Sequence, residues 1–386
     1  MSEIEACKNC RLLFIRKFFV LHKWYIFGIQ CHMATISLCM IVKNEQEVLG
    51  RCLDSIKSLV DEIIIVDTGS NDGTIEIAKR YTNRVYNFVW VDDFSLARNY
   101  SFSRATCDYV LWLDADDVLE GENIEAFRKL KSELNDGIDV VMMKYNIAFD
   151  DDKPTYSYFR ERILKRSKNF RWQEPVHEVI VPSGNIIYSD VAISHRKQKP
   201  NEQGRNLRLY QIQLSQNKKL SARGQFYYAR ELYFNGHTDD AIVWFSKFLK
   251  NKRAWIENKI DAYLMLARCF EQKGIREKVI KNLLQALVIS SPNAEICCGL
   301  GDWYLAAKLY STAIFWYQAA LSIDANELKY GFVNADYCGF IPCIQLCVCY
   351  FHINKVDLAK NYNEKAATFK PNHPSVFHNR KIFQTT

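Results

Sequence analysis

Asp108-Tyr109-Val110-Leu111-Trp112-Leu113-Asp114-Ala115-Asp116-Asp117 reads as an apolar strand that runs straight into three carboxylates. Asp114 and Asp116 are spaced i, i+2, so a strand end that buckles into a turn can aim both at one hard cation. Acids that close repel one another and raise each other's pKa. A bound Mg²⁺ or Mn²⁺ relieves that repulsion, and such ions share their oxygen ligands with substrate phosphates. The stretch predicts a metal–diphosphate site at the carboxyl end of a strand.

On either side of it, strand and helix alternate. Apolar runs at 35–42, 61–67, 84–91 and 109–113 are separated by helical periodicity at 45–59, 74–81 and 94–105. Continuous apolar strands in this order imply a mostly parallel α/β sheet covered on both faces. Ligands of such sheets bind beyond the carboxyl ends of the strands. Further strands at 140–149, 156–164, 176–181 and 186–194 extend the sheet with antiparallel or mixed pairing. Residues 196–206 are polar and contain Pro200 and Gly204, which marks a boundary.

Beyond 206 only helical patterns remain, and they repeat. Ala229, Leu232, Ala241, Phe245 and Phe248 recur as Ala267, Phe270, Val279, Leu283 and Ala286, then as Gly301, Tyr304, Ala313, Tyr317 and Ala320. A weaker fourth copy is Cys347, Tyr350, Ala359, Asn363 and Ala366, preceded by an insertion. Small residues at the first and third positions let paired helices approach, and larger ones fill the groove. The pattern resembles tetratricopeptide repeats, with an unrelated helical bundle as the alternative. The chain is thus expected to divide into an extension over 1–33, an α/β domain over 34–200 and an all-α repeat domain over 201–386.

Three constellations fall at the predicted strand ends. They are Asn44-Glu45, then Asp67-Thr68-Gly69-Ser70-Asn71-Asp72-Gly73-Thr74, then Asp114-Ala115-Asp116-Asp117. The second can be a simple turn and helix cap. Asp67 differs, because an acid ending a buried strand needs a partner. A nucleotide base or ribose is one candidate.

With Leu38-Cys39-Met40-Ile41-Val42-Lys43-Asn44-Glu45 before them and Asp93-Phe94-Ser95-Leu96-Ala97-Arg98-Asn99 between them, these motifs resemble family 2 glycosyltransferases of the GT-A fold, a doubly wound mixed sheet. The resemblance covers residues 35–195. It implies that Asp67, with Asn44, Glu45, Gly69 and Ser70, contacts the nucleoside. Asp114, Ala115 and Asp116 would flank the sugar diphosphate, with Asp116 nearest a Mg²⁺ or Mn²⁺ ion. Arg98 would lie near the diphosphate or ribose, or else form a salt bridge to Asp93 or Asp67.

The stretch Arg171-Trp172-Gln173-Glu174-Pro175-Val176-His177-Glu178 resembles the Val-His-Glu element of the branch of that family that carries helical repeats. An inverting transfer needs a base for the acceptor's proton. Glu178 is the first candidate and Glu174 the second, with His177 between them. A surface salt bridge is the alternative reading. His195 ends the last strand and is a candidate third metal ligand beside Asp114 and Asp116, or a structural histidine.

The whole arrangement is similar to the peptide S-glycosyltransferases of glycocin-type (sublancin and thurandacin) bacteriocin biosynthesis. That similarity implies a UDP-sugar donor, commonly UDP-glucose, and a Cys, or also Ser, acceptor on a precursor peptide held by the repeats. A thiol needs less help from a base than a hydroxyl, because its pKa is near 8.5. Two other functions stay open: transfer to a lipid-linked or lipopolysaccharide-core sugar, and a non-catalytic repeat scaffold with an inactive transferase domain.

The 386 residues carry a net charge of +7, with 48% hydrophobic and 25% charged, which is globular rather than disordered. The positive charges form no stripe interleaved with stacking aromatics, which argues against nucleic-acid binding. No run reaches the ~18 apolar residues of a membrane span. Thirteen cysteines are scattered, several within apolar runs, as expected of reduced, buried thiols in a cytoplasmic protein. Cys7, Cys10, Cys31 and His32 offer zinc-ligand chemistry at a non-standard spacing. Residues 11–27 read as an interfacial helix or as packing against the same chain or a second copy in a homodimer. Met33 is a second candidate start.

Overall fold

The computed structural model describes residues 33–150, 152–198, 202–323 and 333–385. The readings on the N-terminal cysteines, His32 and residues 11–27 lie outside them.

Strands β1 (Ile36–Val42), β2 (Glu62–Asp67), β3 (Val85–Asn87) and β4 (Tyr109–Trp112) pair in parallel. The sheet continues with β5 (Asp117–Val118), β6 (Val140–Asp150), β7 (Lys153–Lys165) and β10 (Ile186–His195), in the order β3-β2-β1-β4-β7-β6-β10-β5. β7 runs antiparallel to β4 and β6, so the sheet is mixed, as expected.

Alternation along β1 explains the two layers. Ile36, Leu38, Met40 and Val42 pack on one face with α1 (Leu49–Ile56) and α4 (Asn123–Glu133). Cys39 faces the other way, toward Tyr100 and Phe102 on α3 (Phe94–Phe102). α2 (Thr74–Lys79) completes the first layer through Ala78. Helix α4 is an addition to the sequence reading. Its polar sequence buries only Phe127 and Leu130, too weak a periodicity to stand out.

The segment expected to give a strand at 176–181 instead forms a separate two-stranded ribbon, β8 (Trp172–Gln173) with β9 (Val179–Ile180). Trp172 and Ile180 pack on Trp112, Val140 and Leu164, so the ribbon lies on the sheet rather than extending it.

Helices then follow without interruption from α5 (Arg205–Ser215) through the pairs α6 (Ala222–Phe234) with α7 (Thr238–Leu249), α8 (Ile256–Gln272) with α9 (Arg276–Ile289), and α10 (Ala294–Ala306) with α11 (Tyr310–Leu321). A fourth pair is α12 (Phe340–His352) with α13 (Val356–Phe369), and α14 (Pro374–Thr385) packs on it. The repeat positions are the buried ones: Ala229, Ala241, Phe245, Phe248, Ala286, Ala313, Tyr317, Ala320, Ala359, Asn363 and Ala366 are all fully buried. The insertion before the fourth pair supplies β11 (Val333–Asn334), which pairs with β7 through Val333 opposite Ser157 and Asn334 opposite Tyr156. β4 covers only the far end of the long β7, at Ile163 to Lys165, so β11 occupies backbone that would otherwise be an open edge.

Candidate functional site: an acid cluster at the strand ends

The loops after β1 and β2 are stitched together. The Asn44 N–H donates to Ser70 Oγ at 2.9 Å and the Glu45 N–H to Thr74 Oγ1 at 2.7 Å. The Asn71 N–H donates back to Asn44 Oδ1 at 2.8 Å, with Asn44 in the left-handed region at φ 57°. Asp67 is buried, and its Oδ2 accepts from the Gly69 N–H at 2.9 Å and the Ser70 N–H at 3.0 Å. The partner this buried acid requires therefore comes from its own turn. Gly69 sits at φ +102°, a conformation side chains rarely adopt.

After β4 the chain turns at once, with the Asp117 N–H donating to the Asp114 carbonyl at 3.1 Å. Asp117 then enters β5, whose antiparallel register with β10 sets it opposite His195. Three ligand atoms converge there: one oxygen each from Asp116 and Asp117 and a ring nitrogen of His195 lie within 4.8 Å of one another. His195 Nδ1 is 3.3 Å from Asp116 Oδ1, 3.2 Å from Asp117 Oδ1 and 2.9 Å from the Tyr145 hydroxyl.

The candidate ligands brought together are thus Asp116 and His195, with Asp117 in the place expected of Asp114. Asp114 is held instead by Arg98, whose Nη2 donates to Oδ1 at 2.7 Å. Arg98 Nε donates to Glu178 Oε1, also at 2.7 Å, and the guanidinium lies over Trp112 and Trp172 at 5.2 and 4.9 Å. Arg98 pairs with neither Asp93 nor Asp67. Asp93 caps α3 by accepting from the Leu96 N–H at 3.1 Å.

Behind Asp117 stands Arg162, fully buried, with Nη1 donating to Asp117 Oδ2 at 3.0 Å. The carboxylates of Asp114, Asp116, Asp117 and Glu178 face the guanidiniums of Arg98 and Arg162 and the imidazole of His195, with Arg160 also near Glu178. Burial opposes ionisation of Asp114, yet the charges of Arg98 and Arg162 outweigh it and hold the carboxyl down to about 2. Burial, together with the neighbouring charges of Asp114 and Asp117, pushes Asp116 up despite the imidazole beside it. Burial works against a charged His195, but its bond to Asp117 and the surrounding acids raise it. Two carboxylates and an imidazole meet at this point, and a divalent cation fits that donor set.

The Val-His-Glu stretch divides at the tip of the β8–β9 ribbon. Glu174 and His177 both take positive φ, 70° and 52°, which non-glycine residues seldom do. Consecutive side chains are thereby sent to different places. Glu178 reaches Arg98. Val176 is buried in the core of the helices. His177 stacks on Tyr227 at 4.3 Å, and its Nε2 is 2.8 Å from Glu231 Oε1 on α6. The Glu174 carboxylate lies against Gly224 in the first turn of α6. Of the three candidate bases, only Glu178 stands at the acid cluster. The other two face the helices.

Tyr145, Arg162 and the full part played by Asp117 escape a reading by motif. Asp117 was visible as the third acid of the quoted stretch. Tyr145 and Arg162 join it only through the register of β6 and β7.

A mixed α/β sheet with this strand order, and with acids gathered at the carboxyl ends of its parallel strands, is the GT-A glycosyltransferase fold. Residues 37–196 match the family described as Glycosyl transferase family 2, and this part of the chain is a family 2 domain. A TPR repeat-containing protein of Synechococcus elongatus is 37% identical over 169 residues, 44% of this chain and 39% of that protein. The SPbeta prophage-derived glycosyltransferase SunS of Bacillus subtilis is 26% identical over 263 residues, 62% of this chain and 60% of that protein. The chain therefore spans less than two thirds of the length of either relative. Among solved structures, S. aureus TarS 1-349 aligns at 15% identity over 64% of this chain and 88% of that one, with a TM-score of 0.35. No helix among the described residues is long and apolar enough to cross a membrane.

Proposed function

We propose that the chain is an inverting glycosyltransferase that moves a hexose from a UDP-sugar, UDP-glucose first, to a Cys, or also a Ser, of a small precursor peptide in the cytoplasm. The observation that carries this reading is the meeting of Asp116, Asp117 and His195 at the ends of β4, β5 and β10 within a family 2 domain. The fused helical repeats support a polypeptide acceptor, since repeat arrays present concave surfaces to extended chains. The working division is a transferase unit over 34–200 and a repeat unit over 201–386.

On this reading Asp67 and the Gly69–Ser70 turn hold the nucleoside, with Asn44 and Glu45 fixing that turn from β1. Asp116, Asp117 and His195 would hold Mg²⁺ or Mn²⁺, which when bound supplies Lewis-acid neutralisation of the departing diphosphate. Arg98 orients Asp114 and Glu178 around the diphosphate. The acceptor sulfur or oxygen donates its electron pair to the sugar C1 from the face opposite the nucleotide. The C1–oxygen bond to the diphosphate breaks, and UDP leaves with that pair. The acceptor proton passes to Glu178 or, from a thiol already ionised, is lost beforehand. Configuration inverts, and no cysteine of the enzyme takes part.

The test is intact-mass analysis of Cys-containing peptides incubated with the full chain, a panel of UDP-sugars and Mn²⁺ or Mg²⁺. A hexose increment that disappears with Asp116→Ala and on Cys→Ala in the peptide is expected. An increment found only on lipid-linked sugars would replace the peptide reading. Absence of both transfer and UDP-glucose hydrolysis would leave the inactive scaffold.

A further inference from the structure

A polar cavity is lined mostly by residues of the helical array. A cleft of about 330 Å³ opens between the sheet and the helical array, bounded by Tyr156 on β7, Arg230 on α6, Asn258 and Asp261 on α8, and Glu295 on α10. Three features suit it to a ligand. Asn258 is only 4% exposed and lines the cleft. Its amide carries one donor and one acceptor group, the complement of a peptide unit.

The cleft is also short of cations. Arg230 pairs with Asp261 at 3.1 Å and Arg268 pairs with Glu295, while Glu257 adds a third carboxylate to the same wall. Burial pushes all three acids up, and the two guanidiniums do not undo it at Asp261 or Glu295.

The third feature is a track to the reaction centre. Tyr156, Tyr158 and Arg160 alternate onto one face of β7. Tyr156 contacts Tyr158 with ring centres 6.3 Å apart, and Tyr158 contacts Tyr145 at 5.7 Å. The Tyr145 hydroxyl in turn bonds Asp117 at 2.9 Å. Arg160 stacks over Trp112 at 4.8 Å, the same ring that Arg98 covers from the Glu178 side.

We propose that this cleft and track form the acceptor-recognition site, which takes an extended peptide carrying a lysine or arginine. The peptide's main chain meets Asn258, its cation sits among Glu257, Asp261 and Glu295, and the chain follows β7 toward the acids. Four residue steps along the strand lead from Tyr156 to Arg160, about 13 Å, so the cation lies roughly four to six residues from the modified residue. The proposal rests on the peptide-acceptor reading above.

The experiment uses fluorescein-labelled, 15-residue Gly/Ser peptides with one central Cys and a single Lys, Gln or Glu at each distance from two to seven residues on either side. Anisotropy with the full-length protein, saturated with UDP and Mn²⁺, gives affinity, and mass spectrometry with UDP-glucose gives transfer. Lys peptides at the matching distance are expected to bind about tenfold more tightly than their Glu counterparts. Asp261→Asn with Glu295→Gln, and separately Glu257→Gln, should shrink that ratio. Asn258→Leu should weaken every peptide about equally and leave the ratio intact. UDP titration of each variant reports whether it has folded. Equal binding of Lys and Glu peptides, no peptide binding, or a Lys preference untouched by the carboxylate variants would overturn the cleft assignment. Charge-selective binding without hexose transfer would keep the cleft and reject the transferase reading, whereas transfer without charge selectivity would do the reverse.

Discussion

Asp117 is the residue on which the acid cluster turns. One oxygen accepts from the Asp114 N–H and from Arg162, while the other meets Tyr145 and His195. Asp114, by contrast, is committed to Arg98. Mn²⁺ titrations followed by electron paramagnetic resonance should therefore rank the carboxylates. Asp116→Asn and Asp117→Asn are expected to weaken the ion by at least about tenfold, and Asp114→Asn by less. A largest loss at Asp114 would restore the ligand set that the Asp-x-Asp spacing alone suggests. The placing of Asp67, Asp114 and Asp116 at strand ends was legible in the sequence because each follows an apolar run, a purely local signal. Asp117's alliances were not, since Tyr145, Arg162 and His195 reach it across three strands whose register no local pattern prescribes.

At the scale of elements, the ribbon tip and the paired helices carry the sharpest tests. Glu231 on α6 is half-buried against His177. Burial raises its carboxyl, but the hydrogen bond and charge from His177 prevail and hold it below its ordinary 4.5. A depressed acid contributes stability that is present above that ordinary value and disappears as the pH falls through the folded one. Urea unfolding of Glu231→Gln should show a loss of about 1–2 kcal/mol at pH 7, and a gap to the parent that closes below pH 4.5.

In the third helix pair, a Cβ on Gly301 would lie 2.5 Å from Tyr317 Cε1. That ring is fully buried and tethered through its hydroxyl to Asp302 at 2.6 Å, so it cannot swing aside. Gly301→Ala should cost about 1–3 kcal/mol by the same measurement, against near-neutrality if the helices can part. The small-residue rhythm of the repeats was legible because close helix packing imposes it. The path of the Val-His-Glu stretch was not. Positive φ at Glu174 and His177 reverses where neighbouring side chains point, and neither is a glycine that would announce it.

For the molecule as a whole, the sheet and the helices share residues rather than merely touching. Val176 belongs to the helical core, Phe94 packs beside it, and the Phe94 N–H donates to the Pro175 carbonyl at 2.9 Å. Calorimetry should record one unfolding transition for the parent. Val176→Asp, which places a charge in that shared core, should lower it and split it in two. A parent already showing two transitions would mean that the shared core couples the halves too weakly to unfold them together.

The pairing of β11 with β7 has a consequence for how the chain is made. Asn334 finds its place opposite Tyr156 only after the intervening helices have been synthesised. Domains fold from the N-terminal side as they leave the ribosome. The sheet with its acids can therefore form while the array is still emerging, and the strand that closes over β7 is among the last pieces to arrive. A nascent chain would therefore bring Asp116, Asp117 and His195 together before it completed the cleft beside Tyr156.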